Sequence, residues 1–307
     1  MTASMRPAHM DVTNRVDVTD HRAVANAVRG ILQERFPAAH GFPLVDTLFA
    51  DFNRLYTGQY PGFHGCEISY HDGQHVLDVT LAMARLVDGY ERQQSEGEGL
   101  GECLAIAGIA CALFHDAGYI RRKRDTRHKN GAAYTRVHVG RSARFLAEYL
   151  PTVGLADIAP LCARVVLFTG YEMNPADIAV ESEGERILGH LLGTADLIAQ
   201  LADSDYPRKC QYNLYEEFEI GGLAGEGAVG TATDVPFRSP EHLLAATPEF
   251  IRTTLEVRLK EQFGAVYRHM EAHFGGPNLY MEAIEENCRS LQALLAAEGP
   301  LDDGAPG

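Results

Sequence analysis

With 307 residues, 46% of them hydrophobic, the chain is long enough to bury the core of an enzyme-sized globular body. A formal charge of -15 disfavours a nucleic-acid duplex as partner, while a local basic pocket for a small phosphorylated substrate stays open. No apolar run reads as a membrane span and no basic start leads into an apolar stretch near the N-terminus, so no membrane partner and a cytoplasmic location are expected.

Residues 1–18 carry no sustained period and are expected to be disordered. From Asp20, a good N-cap, Val24, Val28, Ile31 and Leu32 recur at helical spacing until Pro37. A short helix fits Val45 to Tyr56, and the Gly-containing stretch Gln59 to Glu67 reads as a loop leading to Ser69, placed to cap the next helix. That helix has Val76, Val79, Met83, Leu86 and Tyr90 on one stripe and ends in a polar connector, Gln93 to Gly101. The following segment, Leu104 to Phe114, is apolar all round and suits a helix enclosed by others.

Further helices fit His138 to Tyr149, Ala156 to Phe168 and Glu185 to Ala202. Gly221 to Val235 is Gly-rich and reads as a loop or flap. Thr247 and Pro248 look like an N-cap and first turn, opening a long helix marked by Phe250, Leu255, Leu259, Phe263 and Tyr267 and closed by Gly275 and Gly276. A last helix fits Leu279 to Ala297, and 299–307 read as a disordered tail. No repeat, strand alternation or Ser/Pro linker interrupts the pattern, so the expectation is an all-α fold with a single helical domain over 19–298. The six cysteines lack a CxxC pair and read as reduced structural thiols.

Chemistry concentrates in three places. On a helix, His71, His75 and Asp78 fall at spacings of four and three and share one face. His115 and Asp116 end the fully apolar segment, where an unpaired ionised carboxylate costs several kcal/mol and the negative end of the helix dipole favours a cation. Asp196 lies in an apolar helix with Gly189 and Gly193 on its stripe, small residues that allow close helix approach. His75, His115, Asp116 and Asp196 make a nitrogen and oxygen set suited to Zn, Mn, Fe or Mg; the bland alternative is a hydrogen-bonded core network without metal.

The order H, HD, D resembles the HD superfamily of metal-dependent phosphohydrolases over about residues 60–205, with additional N- and C-terminal helices around that core. YHDGQHVLDV looks like the YHNxxHAxDV signature of class I cyclic nucleotide phosphodiesterases, keeping Tyr70, His71, His75, Asp78 and Val79, with Asp72 in place of Asn. The resemblance implies that His75, His115, Asp116 and Asp196 are ligands of one or two divalent ions, with Asp116 bridging to a second ion where one is bound. It implies catalytic roles for His71, as proton donor to the leaving oxygen, and for Asp116. His138 and His128 are candidates for a second metal or a phosphate contact, while Thr169 stands where relatives place a further histidine.

NLYEEFEIGG, residues 213–222, is similar to the EFFxQGD region of the same phosphodiesterases and keeps Glu217, Phe218 and Gly222. Their purine-reading Gln three residues before a clamping Phe has no counterpart here, where Thr247 precedes Phe250. The implied activity is hydrolysis of a phosphate ester, nucleotide or cyclic nucleotide in kind, by metal-activated water. Alternatives on the same scaffold are a di-iron oxygenase resembling myo-inositol oxygenase, or a catalytically inactive metal-binding regulatory module. The basic run at 121–129 either gathers a phosphorylated substrate or is a solvated loop, and Tyr206, Lys209, Tyr212 and Tyr215 either line a pocket or pack. A homo-oligomer is compatible with all of this.

Overall fold

The structure, a computed structural model, describes residues 6–38, 41–225 and 237–298. It is all-α: among the described residues the only β pairings are isolated bridges, and no sheet forms. Helix α1 (His21–Arg35) starts at Asp20, whose carboxylate accepts the Arg22 amide, and buries Val24, Val28 and Leu32. Helices α2 (Phe42–Tyr56), α3 (Gly73–Glu91) and α4 (Gly101–Phe114) follow. Every residue of α4 from Ala105 to Phe114 is buried, the outcome that its all-round apolar surface requires.

Helices α5 (His138–Tyr149) and α6 (Ala159–Val165) come next, α6 being flanked by 3-10 turns at Ala156–Ile158 and Val166–Thr169. Helix α7 (Glu183–Ala202) is capped by Ser182 and packs on both α3 and α4. The short α8 (Tyr206–Lys209) and α9 (Tyr215–Ile220) are joined by a π turn. Helices α10 (Pro240–Thr253), α11 (His269–Phe274) and α12 (Leu279–Glu298) complete the chain, and α11 and α12 brace α3 and α7. The small stripe of α7 does what its composition suggests: a Cβ at Gly193 would sit 2.5 Å from the Phe263 ring, and one at Gly189 would enter the Phe168 ring.

The expected start of the C-terminal helix is corrected. Ser239, not Thr247, is the N-cap, accepting the His242 amide, and Pro240 occupies the first turn. Pro248 therefore lies inside the helix, and Thr247 uses its hydroxyl to bond the Leu243 carbonyl. Nor does one helix run on to Gly275. A π segment, Thr254–Gln262, follows α10, and the left-handed pair Gly264 (φ 64°) and Ala265 (φ 57°) then turns the chain toward α11. Most of the expected flap, 226–235, and the tail, 299–307, lie outside the described residues.

Residues 6–18, expected to lack order, are held against the body. Asp11 accepts the Arg15 and Val16 amides at 2.9 Å, and its fully buried side chain pairs with Arg85 of α3. Arg6 reaches the Ala202 carbonyl, and Gln74 donates to the Ala8 carbonyl at 2.6 Å. This order escapes a periodicity argument because it comes from one polar anchor and not from a repeating face. Gly101–Tyr119 does satisfy the length and composition of a membrane span, with mean hydropathy 1.2, but 78% of it is buried by the rest of the chain.

Burial opposes the charge on Asp11, but Arg85 and the two amides hold its carboxyl at about 2. Its stabilising contribution is thus present above the ordinary carboxylate range and is lost as pH falls through about 2. Asp11→Ala strands the buried Arg85 and is expected to cost about 3–5 kcal/mol in urea unfolding. A loss under about 1 kcal/mol, the size of a surface pair, would show that the N-terminal segment is not anchored this way.

Candidate metal centre

The loop before α3 decides how the first motif is presented. Asp72 caps the helix through its carboxylate, bonding the His75 amide at 3.0 Å, so α3 begins at Gly73 and Ser69 is not its cap. His71 is consequently in the loop and not one helical turn from His75, which corrects the expectation that both share a helix face. Asp78 is corrected as well. It sits in a buried group with Asp203, Arg6 and Arg85, where burial and the Asp203 charge push its carboxyl up to about 7.

The side chains of His75, His115, Asp116 and Asp196 do converge, from α3, the end of α4, the turn after it and α7. His75 Nε2 lies 3.4 Å from His115 Nε2, 3.6 Å from Asp116 Oδ2 and 3.3 Å from Asp196 Oδ1. His115 Nε2 lies 3.3 Å from Asp116 Oδ2 and 3.7 Å from Asp196 Oδ1. Donors that each stand about 2.1 Å from one ion are separated by roughly 3.0–3.5 Å, so these spacings are close to those of a ligand set. His75, His115 and Asp116 form a group that could hold a metal ion.

Two further details fit a cation. Asp116 is almost fully buried, yet its Oδ2 has no hydrogen-bond partner among the described residues, a costly state for a carboxylate oxygen. His115 Nδ1 is 2.8 Å from the Ala112 carbonyl, a contact that places the proton on Nδ1 and aims the Nε2 lone pair into the cluster. The positive end of that arrangement is the ion it would take; the negative end is the carboxylate pair.

His138 adds a second side to Asp116. Its Nδ1 bonds the Thr135 carbonyl at 2.6 Å, and its Nε2 faces Asp116 Oδ1 at 3.6 Å, on the oxygen the other histidines do not address. Burial, helped by the nearby His71, keeps the His138 imidazole neutral by lowering its pKa. Gly118 makes this approach possible, since a Cβ there would collide with the His138 carbonyl. His128 is not brought to the cluster. Arg121, held by Glu67 at 2.6 and 2.7 Å, also bonds the Asp125 and His128 carbonyls and curls the loop so that the exposed His128 ring meets Tyr134.

His71 is positioned from elsewhere. Glu217 of α9, buried, accepts His71 Nδ1 at 2.6 Å and the Tyr70 and His71 amides at 2.5 and 3.2 Å. Tyr119 stacks between His71 and His138, with centroid distances of 4.8 and 4.3 Å. Burial works against a charged imidazole here, but the Glu217 and Asp116 carboxylates outweigh it and raise His71 to about 9. Sequence reasoning retained Glu217 without assigning it a role and missed Tyr119, because both act across long chain separations.

The remaining expectations divide. Thr169 bonds the Val166 carbonyl, and Thr247 is satisfied by Leu243 while Phe250 is exposed, so these two do not form a base-reading clamp. Tyr206 is buried, Tyr212 is exposed and Lys209 pairs with Asp203 at 2.6 Å, so no common pocket lining emerges from that stripe. Three arginines of the basic run are ion-paired: Arg121 with Glu67, Arg122 with Glu148 and Arg127 with Asp125. No protein-family model, curated protein or solved structure matches the chain.

Without an ion, burial disfavours charge on His115, but Asp116 and Asp196 prevail and raise it to about 9. A metal must displace that proton, so apparent Mn or Zn affinity is expected to rise about tenfold per pH unit for the one proton and to level off near pH 9. Calorimetric titrations at several pH values measure this; pH-independent affinity would mean that His115 is not a ligand.

Proposed function

We propose that this protein is a metal-dependent phosphohydrolase of the HD type, cleaving a phosphate ester on a small substrate, nucleotide or cyclic nucleotide in kind. The observation that carries the reading is the placing of the His71–Glu217 pair beside a cluster of two imidazole nitrogens and two carboxylates at ligand-like spacing. His75, His115, Asp116 and Asp196 would hold the ion, and Asp116 Oδ1 with His138 Nε2 would hold a second ion or a phosphoryl oxygen. When bound, a divalent cation supplies acidified water and neutralises charge developing on the phosphoryl oxygens.

The chain's own contribution is proton control. Glu217 fixes the Nδ1 proton of His71, which leaves Nε2–H as the group that can be given to a departing oxygen. An imidazole raised to about 9 carries that proton at neutral pH, as a general acid must. Glu217 then plays the orienting part, holding the ring against Tyr119 and stabilising the imidazolium form. Tyr70 and His71 donate amides to the same carboxylate, so the loop and the acid are set by one group.

The test is a panel of nucleotides, cyclic nucleotides and simple phosphoesters with Mn, Mg, Zn or Fe added. Turnover is expected, with Asp116→Ala losing metal and activity together. His71→Ala should retain metal while kcat falls about 10²- to 10⁴-fold. Glu217→Gln removes the charge that raises His71, so the alkaline limb of the rate profile should move to lower pH. Tightly held metal with no turnover on any phosphoester would favour the regulatory module, and two irons with substrate-dependent oxygen uptake would favour the oxygenase.

A further inference from the structure

A small recess lies beside the turn that follows Asp116. It has a volume of about 50 Å³ and is walled by Arg122, Arg141 and Arg144 with Gly118, Phe63 and Phe145. Space for one water takes about 10–15 Å³, so the recess has room for roughly four, the bulk of one tetrahedral oxyanion and far less than a nucleoside.

Its charge is out of balance in a chain of net -15. Arg141 is clamped against the Tyr134 ring at 3.6 Å and spends Nε and Nη2 on the carbonyls of Gly118 and Ile120, at 2.6 and 3.3 Å. No carboxylate bonds it among the described residues, and Asp125, whose charge acts on it, is already held by Arg127 and Tyr134. Burial pulls its pKa below the ordinary arginine value, and the neighbouring Arg127 and Arg144 charges add to that pull. Arg144, exposed, forms no ion pair among the described residues. Arg122 lies over Phe63 at 4.9 Å and pairs with Glu148, and no carboxylate is among the recess's lining residues.

Three guanidinium groups against one carboxylate leave an excess of about two positive charges around a space of phosphate size, and arginine forks match tetrahedral oxyanions. We propose that this recess is a binding site for a phosphate dianion, free or as the phosphoryl end of a monoester, separate from the metal cluster. The turn carrying Gly118 stands between the two: its amide bonds Ser142 Oγ at 2.8 Å, and its carbonyl takes Arg141. The inference does not depend on the phosphohydrolase reading, because it concerns groups on the far side of that turn.

The experiment titrates chelator-treated, metal-free full-length protein with inorganic phosphate and, separately, with glycerol phosphate, by calorimetry and phosphorus NMR. One saturable site per chain is expected. Arg144→Ala, an exposed change that leaves the carbonyl clamp intact, should weaken it about tenfold or more, the worth of one charged hydrogen bond. Arg141→Gln should abolish it, with circular dichroism checking the fold of that variant. His71→Ala should bind as wild type, and Lys123→Ala within about twofold, as expected for a screened surface charge. Equal binding of both ligands assigns the site to phosphoryl groups on larger molecules; binding of phosphate alone assigns it to the free ion. Unsaturable binding, indifference to Arg144→Ala, or loss in His71→Ala would overturn the proposal, the last by placing the anion among the imidazoles.

Discussion

The Asp116 carboxylate is the group on which the arrangement turns. It is buried just past the end of the most apolar helix among the described residues, and one of its oxygens has no hydrogen-bond partner among them. A carboxylate in that position stays ionised only if positive charge surrounds it, and here the His115 and His71 imidazoles hold it well below the ordinary carboxylate range against the effect of burial. Protons on imidazoles supply that charge when no ion does. A divalent cation would supply it more completely, and His75, His115 and Asp116 form a group that could hold one.

The same carboxylate divides the site into two sides. Oδ2 addresses His75 and His115, while Oδ1 addresses His138. A neutral imidazole nitrogen and a carboxylate oxygen facing each other at 3.6 Å are both electron-rich, so the gap between them attracts a cation or an electron-poor centre. His71 and Tyr119 close this side as a stacked group, with Glu217 behind. The His71–Glu217 pair and the converging cluster are thus supported by separate elements, the loop and α9 for the first and α3, α4, the turn after it and α7 for the second. A change at Glu217 acts on His71 without touching the side chains of that cluster.

Close packing is what brings the donors within reach. Helix α7 approaches through Gly189 and Gly193, and the turn after Asp116 lies against α5 through Gly118, each at a distance no Cβ would permit. The buried Asp11–Arg85 pair ties the N-terminal segment to α3, the helix that carries His75. That pair, with the Arg6 and Gln74 contacts, places residues 6–18 in the bundle's framework.

The all-α class, the enclosed α4 and the four converging donors were legible in the sequence, because each rests on local evidence: helical periodicity, an apolar run without a polar face, and acids or imidazoles embedded in apolar context. The misreadings come from contacts that no local pattern encodes. Ser69 and Thr247 are adequate caps in isolation, but Asp72 and Ser239 win because of where packing lets each helix begin. The cap at Asp72 moved His71 off the helix, while Asp78 answers to Asp203, Arg6 and Arg85, and the Arg121 clamp keeps His128 outside the site. The partnership of His71 with Glu217 spans 146 residues, and the stacking of Tyr119 against two histidines depends on the same assembly. Residue type and spacing determine which chemistry a chain can perform; only the packed helices decide which of those groups share a few ångströms, since that distance is set by burial across the whole bundle and by no local pattern.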